Sequence, residues 1–373
     1  MGASVNPCPG SPGRIGVFRA LVLGDMLCAV PALRALRAAC PGSRISLIGL
    51  PWARGWAERL SCVDDFVAFP GYPGLPEIAP DLAALPGFLA QAQASCYDLL
   101  LQMHGSGTIV NPLLAACGAR RTAGFVVPGG YCADPDSHLP WPDRGHEIER
   151  LLALTDHLGM PRRGLGLEFP VSMDDRAELA GIWPGVDDGP YVCVHAGAQL
   201  PSRRWPAARF AAVADGLAAQ GLRIVLTGTA GEMALVQEVA ASMRHAVVDL
   251  SGRTSLWTLG ALIDRAALLV CNDTGVSHIA AALKTPSVVV SSGADAARWS
   301  PLDAARHRVL WAAMSCRPCG HRVCPLARHA CAEAIDVPSV SLAAMGLLER
   351  FPPLPVADPM PPGQRSAPMA PAL

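Results

Sequence analysis

Four short stretches of this chain carry side chains suited to holding an anion or moving a proton. Asp273-Thr274-Gly275 follows an apolar run, Ala267 to Cys271. It precedes Ala-rich residues with Val276, Ile279 and Leu283 at helical spacing, which predicts strand, tight turn and helix. Gly275 would let a ligand approach the backbone, and the free N–H groups and positive dipole end of such a helix favour phosphate. Asp273 or Thr274 equally suits an ordinary helix cap. Ser202-Arg203-Arg204-Trp205-Pro206 sets two guanidinium groups beside a helix start. Arginine there can grip phosphate oxygens in a bidentate fork, and the plainer reading is a solvated basic pair. Gly228-Thr229-Ala230-Gly231-Glu232 is a Gly-rich turn whose carboxylate can accept from a ribose hydroxyl or cap its own helix. Gly24-Asp25 puts a carboxylate near the N-terminus of an amphipathic helix, where it also fits a cap.

A fifth cluster is Cys316-x2-Cys319-x4-Cys324-x6-Cys331, with His321 and His329 interspersed. Four thiols beside Pro and Gly turns suit a tetrahedral structural zinc. Four thiolates leave no open position for water, so such a metal would stiffen the loop 316–331 and take no part in catalysis. Cys28, Cys40, Cys193 and Cys271 sit in apolar runs and read as small core residues.

These stretches need strands and helices to position them. Strands are expected at Ile15–Phe18, Ile45–Leu50, Val67–Phe69, Asp98–Gln102 and Arg121–Val126. Helices are expected after Asp25, over Asp81–Ser95 and over His146–Leu158. Residues 127–145 read as a long loop, and 159–190 as a domain boundary. The pattern then restarts with strands at Tyr191–His195, Ile224–Thr227, Ala246–Asp249, Leu268–Cys271 and Ser287–Val290, the last closing the second sheet. Helices lie between them, and a final one covers Val340–Phe351. Alternating strands and helices imply parallel sheets covered on both faces. Ligands bind beyond the carboxyl ends of such strands, where the four stretches fall. The organisation expected is a flexible start over 1–14, one α/β domain over 15–170, a second over 190–335, a helix over 336–351 and a disordered Pro-rich tail over 352–373.

Several function classes are disfavoured. A formal net charge of −1 lacks the basic excess of a nucleic-acid binder. No GxGxxG follows the first strand, which argues against a dehydrogenase. No apolar run is long enough to span a membrane, and residues 1–14 lack a signal core. The expectation is a cytoplasmic protein whose thirteen cysteines are free thiols or metal ligands, not disulfides. Of the 30 basic residues only Lys284 is lysine, read as a coding bias without mechanistic meaning.

Gly24-Asp25 followed by Ala29-Val30-Pro31-Ala32-Leu33-Arg34-Ala35-Leu36-Arg37 resembles the N-terminal signature of glycosyltransferase family 9, the ADP-heptose:lipopolysaccharide heptosyltransferases. Arg203-Arg204-Trp205-Pro206 resembles that family's Lys-x-Trp-Pro element. Leu250 to Leu256 and Asn272 to Ala282 resemble its two C-terminal signatures. The order matches, from about Ile15 to Val340. The resemblance implies a GT-B fold: two Rossmann-like domains facing a cleft, with the donor in the C-terminal half and the acceptor in the N-terminal half. It implies inverting transfer without a catalytic metal, most simply of heptose from ADP-heptose to a lipopolysaccharide core or related glycan. A lipid-linked acceptor would bring transient contact with the cytoplasmic face of the inner membrane.

On this reading Asp25 takes the acceptor proton and Arg203 stabilises the leaving diphosphate. Gly24, Glu232, Thr254, Asp273, Thr274, Gly275 and His278 form the donor site, with Glu232 on the ribose; His278 also reads as a core histidine. The family often has hydroxyl residues before the Gly-Asp pair, where Ala20, Leu21, Val22 and Leu23 stand here, and Arg203 replaces its lysine. Loops 104–111 and 127–145 would choose the acceptor. Arg34, Arg37, Arg54 and Arg59 would meet anionic lipid or phosphorylated sugar, or form a solvated face. The alternatives are a non-catalytic nucleotide-sugar or metal-binding protein, and another nucleotide-sugar enzyme such as an epimerase.

Overall fold

A computed structural model describes residues 13–353. Two sheets of six parallel strands organise them. The first contains β1 (Arg14–Phe18), β2 (Arg44–Gly49), β3 (Asp65–Ala68), β4 (Leu99–Gln102), β5 (Thr122–Val126) and β6 (His138–Pro140), in the order β3-β2-β1-β4-β5-β6. The second contains β7 (Tyr191–His195), β8 (Arg223–Leu226), β9 (Val247–Asp249), β10 (Leu268–Asn272), β11 (Ser287–Val290) and β12 (His307–Leu310), in the order β12-β11-β10-β7-β8-β9. Each sheet reverses direction beside its first strand, between β1 and β4 or β7 and β10, and ligand crevices open at such points.

The central strands are continuous apolar runs because helices bury both faces. In β10 all five residues are buried, ending in Asn272. The helix Leu23–Ala39 follows β1 and buries Met26, Leu27, Val30, Leu33 and Leu36. The helix Gly275–Leu283 follows β10 and ends at Lys284, whose left-handed φ of 61° closes it. The helix Glu147–His157 lies against the Leu23–Ala39 helix.

Several elements depart from the sequence expectation, among them short helices at Arg54–Ala57, Val110–Ala115, Ala296–Trp299 and Ala330–Glu333. The 127–145 loop contains β6, a three-residue edge strand. The expected boundary 159–190 holds a helix, Met173–Ile182, started by a reciprocal Ser172–Asp175 capping box. The second sheet continues past β11 to β12, an edge strand with one fully buried residue, His307. At the N-terminal end β1 begins at Arg14, inside the stretch expected to be flexible. The rest of 1–14, apart from Gly13, and the tail beyond Pro353 lie outside the described residues. Among the described residues no helix is long and apolar enough to cross a membrane.

Candidate active site

The two helices carrying the Gly-Asp and Asp-Thr-Gly stretches meet at their N-terminal ends. A methyl group on Gly24 would stand 2.7 Å from His278 Cδ2 and 3.7 Å from Gly275 Cα. One on Gly275 would stand 3.1 Å from the Leu23 side chain. Only glycine permits this approach, so the two halves of the chain touch where the sequence places their candidate chemistry.

Asp25 sits in the first turn of its helix but does not cap it; the N-cap is Val22, without a side-chain bond. Its side chain keeps 22% exposure beside the fully buried Arg19. Burial pushes the Asp25 carboxyl above its ordinary range, Arg19 opposes this, Glu147 adds to it, and Arg298 again opposes it. A carboxylate of raised proton affinity that retains an opening to solvent is suited to general-base work.

Across from it, Thr274 occupies the N-cap of the Gly275–Leu283 helix in an extended conformation and makes no side-chain cap bond. Neither Thr274 nor Asp273 caps this helix. Asp273 instead accepts from Ser291 Oγ at 3.0 Å. Burial raises its carboxyl, against the Ser291 bond and the charges of Arg203 and Arg317. The helix start is thus left with unclaimed N–H groups, a ready seat for anionic oxygens. Arg203 stands beside it, and its Nε is buried without a hydrogen-bond partner. A buried orphan donor next to an uncapped helix start fits an anionic ligand.

Asn272, which the sequence reading passed over, fixes this arrangement. It is fully buried, accepts from Trp205 N at 2.9 Å and donates to Ala196 O at 2.7 Å. It thereby ties the Arg203 turn to the ends of β7 and β10. An asparagine closing an otherwise apolar strand was the available signal.

The remaining expected residues are placed as follows. Glu232 completes a capping box with Thr229, accepting from its N and Oγ1 at 2.9 Å each. Its carboxylate also abuts Gly197, just past β7. Thr254 lies in the turn ahead of the Leu256–Arg265 helix, which Ser255 caps. His278 is buried beneath Gly24 with its Nδ1 3.7 Å from Cys28 Sγ and its ring edge-on to Trp299. Burial holds it at about 4, so it is neutral at pH 7 and packs the two helices together.

The four cysteines of the loop are free thiols. Among the described residues no group of three or more His, Cys, Asp or Glu could hold a metal ion. Cys331 is buried on the helix Ala330–Glu333, whereas Cys316 is exposed. Cys319 lies beside Gly293, donating from its backbone to Gly293 O at 2.8 Å. The loop is instead strapped to the Arg203 turn. Ser202 donates from N to Arg322 O at 3.1 Å and from Oγ to His321 O at 2.6 Å. Its carbonyl is 2.8 Å from His329 Nε2.

The N-terminal arginines are also engaged. Arg34, Arg37, Arg54 and Arg59 each pair with a carboxylate, on Glu168, Asp64, Glu58 and Asp175 respectively. They form no free basic face. A cavity of about 890 Å³ opens at the strand starts of the second sheet, between Tyr191, Lys284, Arg306 and Phe351, and none of the candidate site residues lines it.

Residues 90–330 match the model of glycosyltransferase family 9 (heptosyltransferase). The chain belongs to glycosyltransferase family 9. Lipopolysaccharide heptosyltransferase 3 of Escherichia coli K12 is 30% identical over 220 residues, which cover 56% of this chain and 62% of that protein. The match thus spans less than two thirds of that relative's length. The fold resembles a family 9 glycosyltransferase from Veillonella parvula, with a TM-score of 0.77 at 22% identity over 91% of this chain and 98% of that one. It also resembles the ADP-heptose lps heptosyltransferase II of E. coli, with a TM-score of 0.73 at 20% identity over 90% and 99% of the two chains. Two parallel six-stranded α/β halves in this family are the GT-B architecture.

Proposed function

We propose that this family 9 chain is an inverting glycosyltransferase that moves heptose from ADP-heptose onto a lipopolysaccharide-core or related surface-glycan acceptor. The observation that carries the reading is the meeting of the Asp25 helix start with the uncapped Gly275 helix start beside Arg203. One offers a base, the other an anion seat.

Asp25 takes the proton from the acceptor hydroxyl as its oxygen bonds to the anomeric carbon. The bond from that carbon to the diphosphate oxygen breaks on the opposite face, so configuration inverts. Charge growing on the leaving nucleoside diphosphate is met by Arg203 and by the N–H groups at Gly275. Gly24 permits the close approach, Glu232 and Thr254 border the nucleoside side, and Asp273 orients the turn. The chain's own charges supply the stabilisation, with no metal in the catalytic role. The names of its relatives support a lipid-linked acceptor, and hence work at the cytoplasmic face of the inner membrane.

Calorimetric titration of ADP-, GDP-, UDP- and dTDP-sugars into wild type and Arg203→Ala tests the donor. The expected result is selective binding of the ADP-sugar, weakened at least tenfold in the variant. Preference for another base would move the substrate while keeping the chemistry. Absence of binding by a folded sample would leave a non-catalytic protein as the better reading.

A further inference from the structure

Glu147 is a carboxylate only 2% exposed, in the first turn of the helix packed on the Asp25 helix. Arginines from both halves of the chain hold it. Its Oε1 accepts from Arg19 Nη2 at 3.0 Å. Its Oε2 accepts from Arg298 Nε at 2.9 Å, with Arg298 Nη2 at 2.8 Å and Arg150 Nη1 at 3.7 Å. Arg298 follows β11 in the second half, so this ion pair crosses between the halves. His146 Nε2, next to it, donates to Ser300 O at 2.6 Å and makes a second crossing.

Arg19 links this cluster to the base. Its Nε donates to the carbonyl of Asp25 at 2.8 Å and its Nη1 to the carbonyl of Met103. The same Nη2 that binds Glu147 lies 3.9 Å from Asp25 Oδ1. One guanidinium is therefore shared between two carboxylates, and Arg298 decides how much of it Glu147 needs. With Arg298 docked, Glu147 has a second strong partner. Without it, Glu147 draws on Arg19, and its own charge opposes ionisation of Asp25.

We propose that Glu147 is a positioning residue which, clasped by Arg298 across the cleft, governs how Arg19 acts on Asp25, so that the base is tuned by docking of the donor half. The proposal rests on the reading of Asp25 as the base. The other groups around the pair are Cys28 on the Asp25 helix, His146 and Arg150 at and within the Glu147 helix, Asp143 before it, Asp295 ahead of Arg298, and His278 on the Gly275 helix. All of them remain in both variants below. Opposite effects follow. Removing the charge of Glu147 leaves Arg19 and Arg298 acting on Asp25 unopposed, whereas removing Arg298 leaves Glu147 unopposed.

The test is titration of the Asp25 carboxyl by carbon NMR in the full chain labelled at aspartate, with the resonance assigned by its loss in Asp25→Asn. The midpoint is expected to fall in Glu147→Gln and rise in Arg298→Met, each by about one pH unit, a tenfold change in proton affinity. Unchanged midpoints, or shifts of the same sign, overturn the proposal. If Glu147→Gln does not fold, Arg298→Met carries the test, and an unchanged or lowered midpoint there overturns it. Nucleoside-diphosphate release measured against pH should show its acid limb moving with the midpoint. Shifted midpoints alongside wild-type transfer by Asp25→Asn would leave the clasp standing and remove Asp25 as the base.

Discussion

A carboxylate that removes a hydroxyl proton near neutral pH gains from a raised proton affinity, and burial gives Asp25 that property. As the proposed base Asp25 works only when ionised, so activity should be lost as pH falls through a midpoint above the ordinary aspartate value of 3.8. Asp25→Asn should lower kcat by about 10²- to 10⁴-fold with donor affinity retained, and steady-state transfer with parallel calorimetry checks both. Asp25 was legible in the sequence because a Gly-Asp pair between strand and helix is a local pattern. Arg203 and Gly275 were legible for the same reason. Glu147 and Arg298 were not. Their partners lie 128 and 151 residues away, and each alone looks like an ordinary charge on a helix. His278 drew attention as a polar residue in a motif, and only the fold discloses that it is buried against Trp299 and Cys28.

At the scale of elements, the site depends on two helix starts that nearly touch. Gly24→Ala would place a methyl 2.7 Å from the ring of the buried His278. The expected result is a loss of about 1–3 kcal/mol of stability together with reduced kcat, read from thermal melts and transfer rates of the same preparation. The central strands were legible because burial on both faces makes them unbroken apolar runs. β6 and β12 were not, since edge strands mix polar residues such as His138, His307 and Arg308 with few apolar ones. The helix Met173–Ile182 buries only Asp175 and Leu179, so it shows no apolar stripe to read. Its capping box was the one local signal of its start. Cysteine spacing says nothing of depth, and Cys316 is exposed whereas Cys331 is buried.

Across the whole molecule the halves are joined at several places, three of which bear on the site. These are the crossing at Gly24 and Gly275, the Glu147–Arg298 pair, and Arg59 stacked 3.6 Å above the Trp257 ring. Two buried histidines make this assembly sensitive to acid. His278 at the crossing and His307 in β12 are each held at about 4, against an ordinary value of 6.5, chiefly by burial. Their folded-state values are depressed, so the stability they contribute is full above 6.5 and drains away as pH falls toward 4. Each is worth up to about 3 kcal/mol over that window. Melting temperatures should therefore drop between pH 7 and 4.5, and His278→Gln should flatten part of that slope.

Lys284 has a use of its own. It is the one side-chain amine in the chain, exposed at the end of the Gly275–Leu283 helix. That helix is nine residues long, so its two ends are about 13 Å apart. Amine-directed labelling would place a single side-chain fluorophore on the same rigid rod whose other end is the proposed diphosphate seat. Donor capture could then be followed optically without engineering any residue of the site.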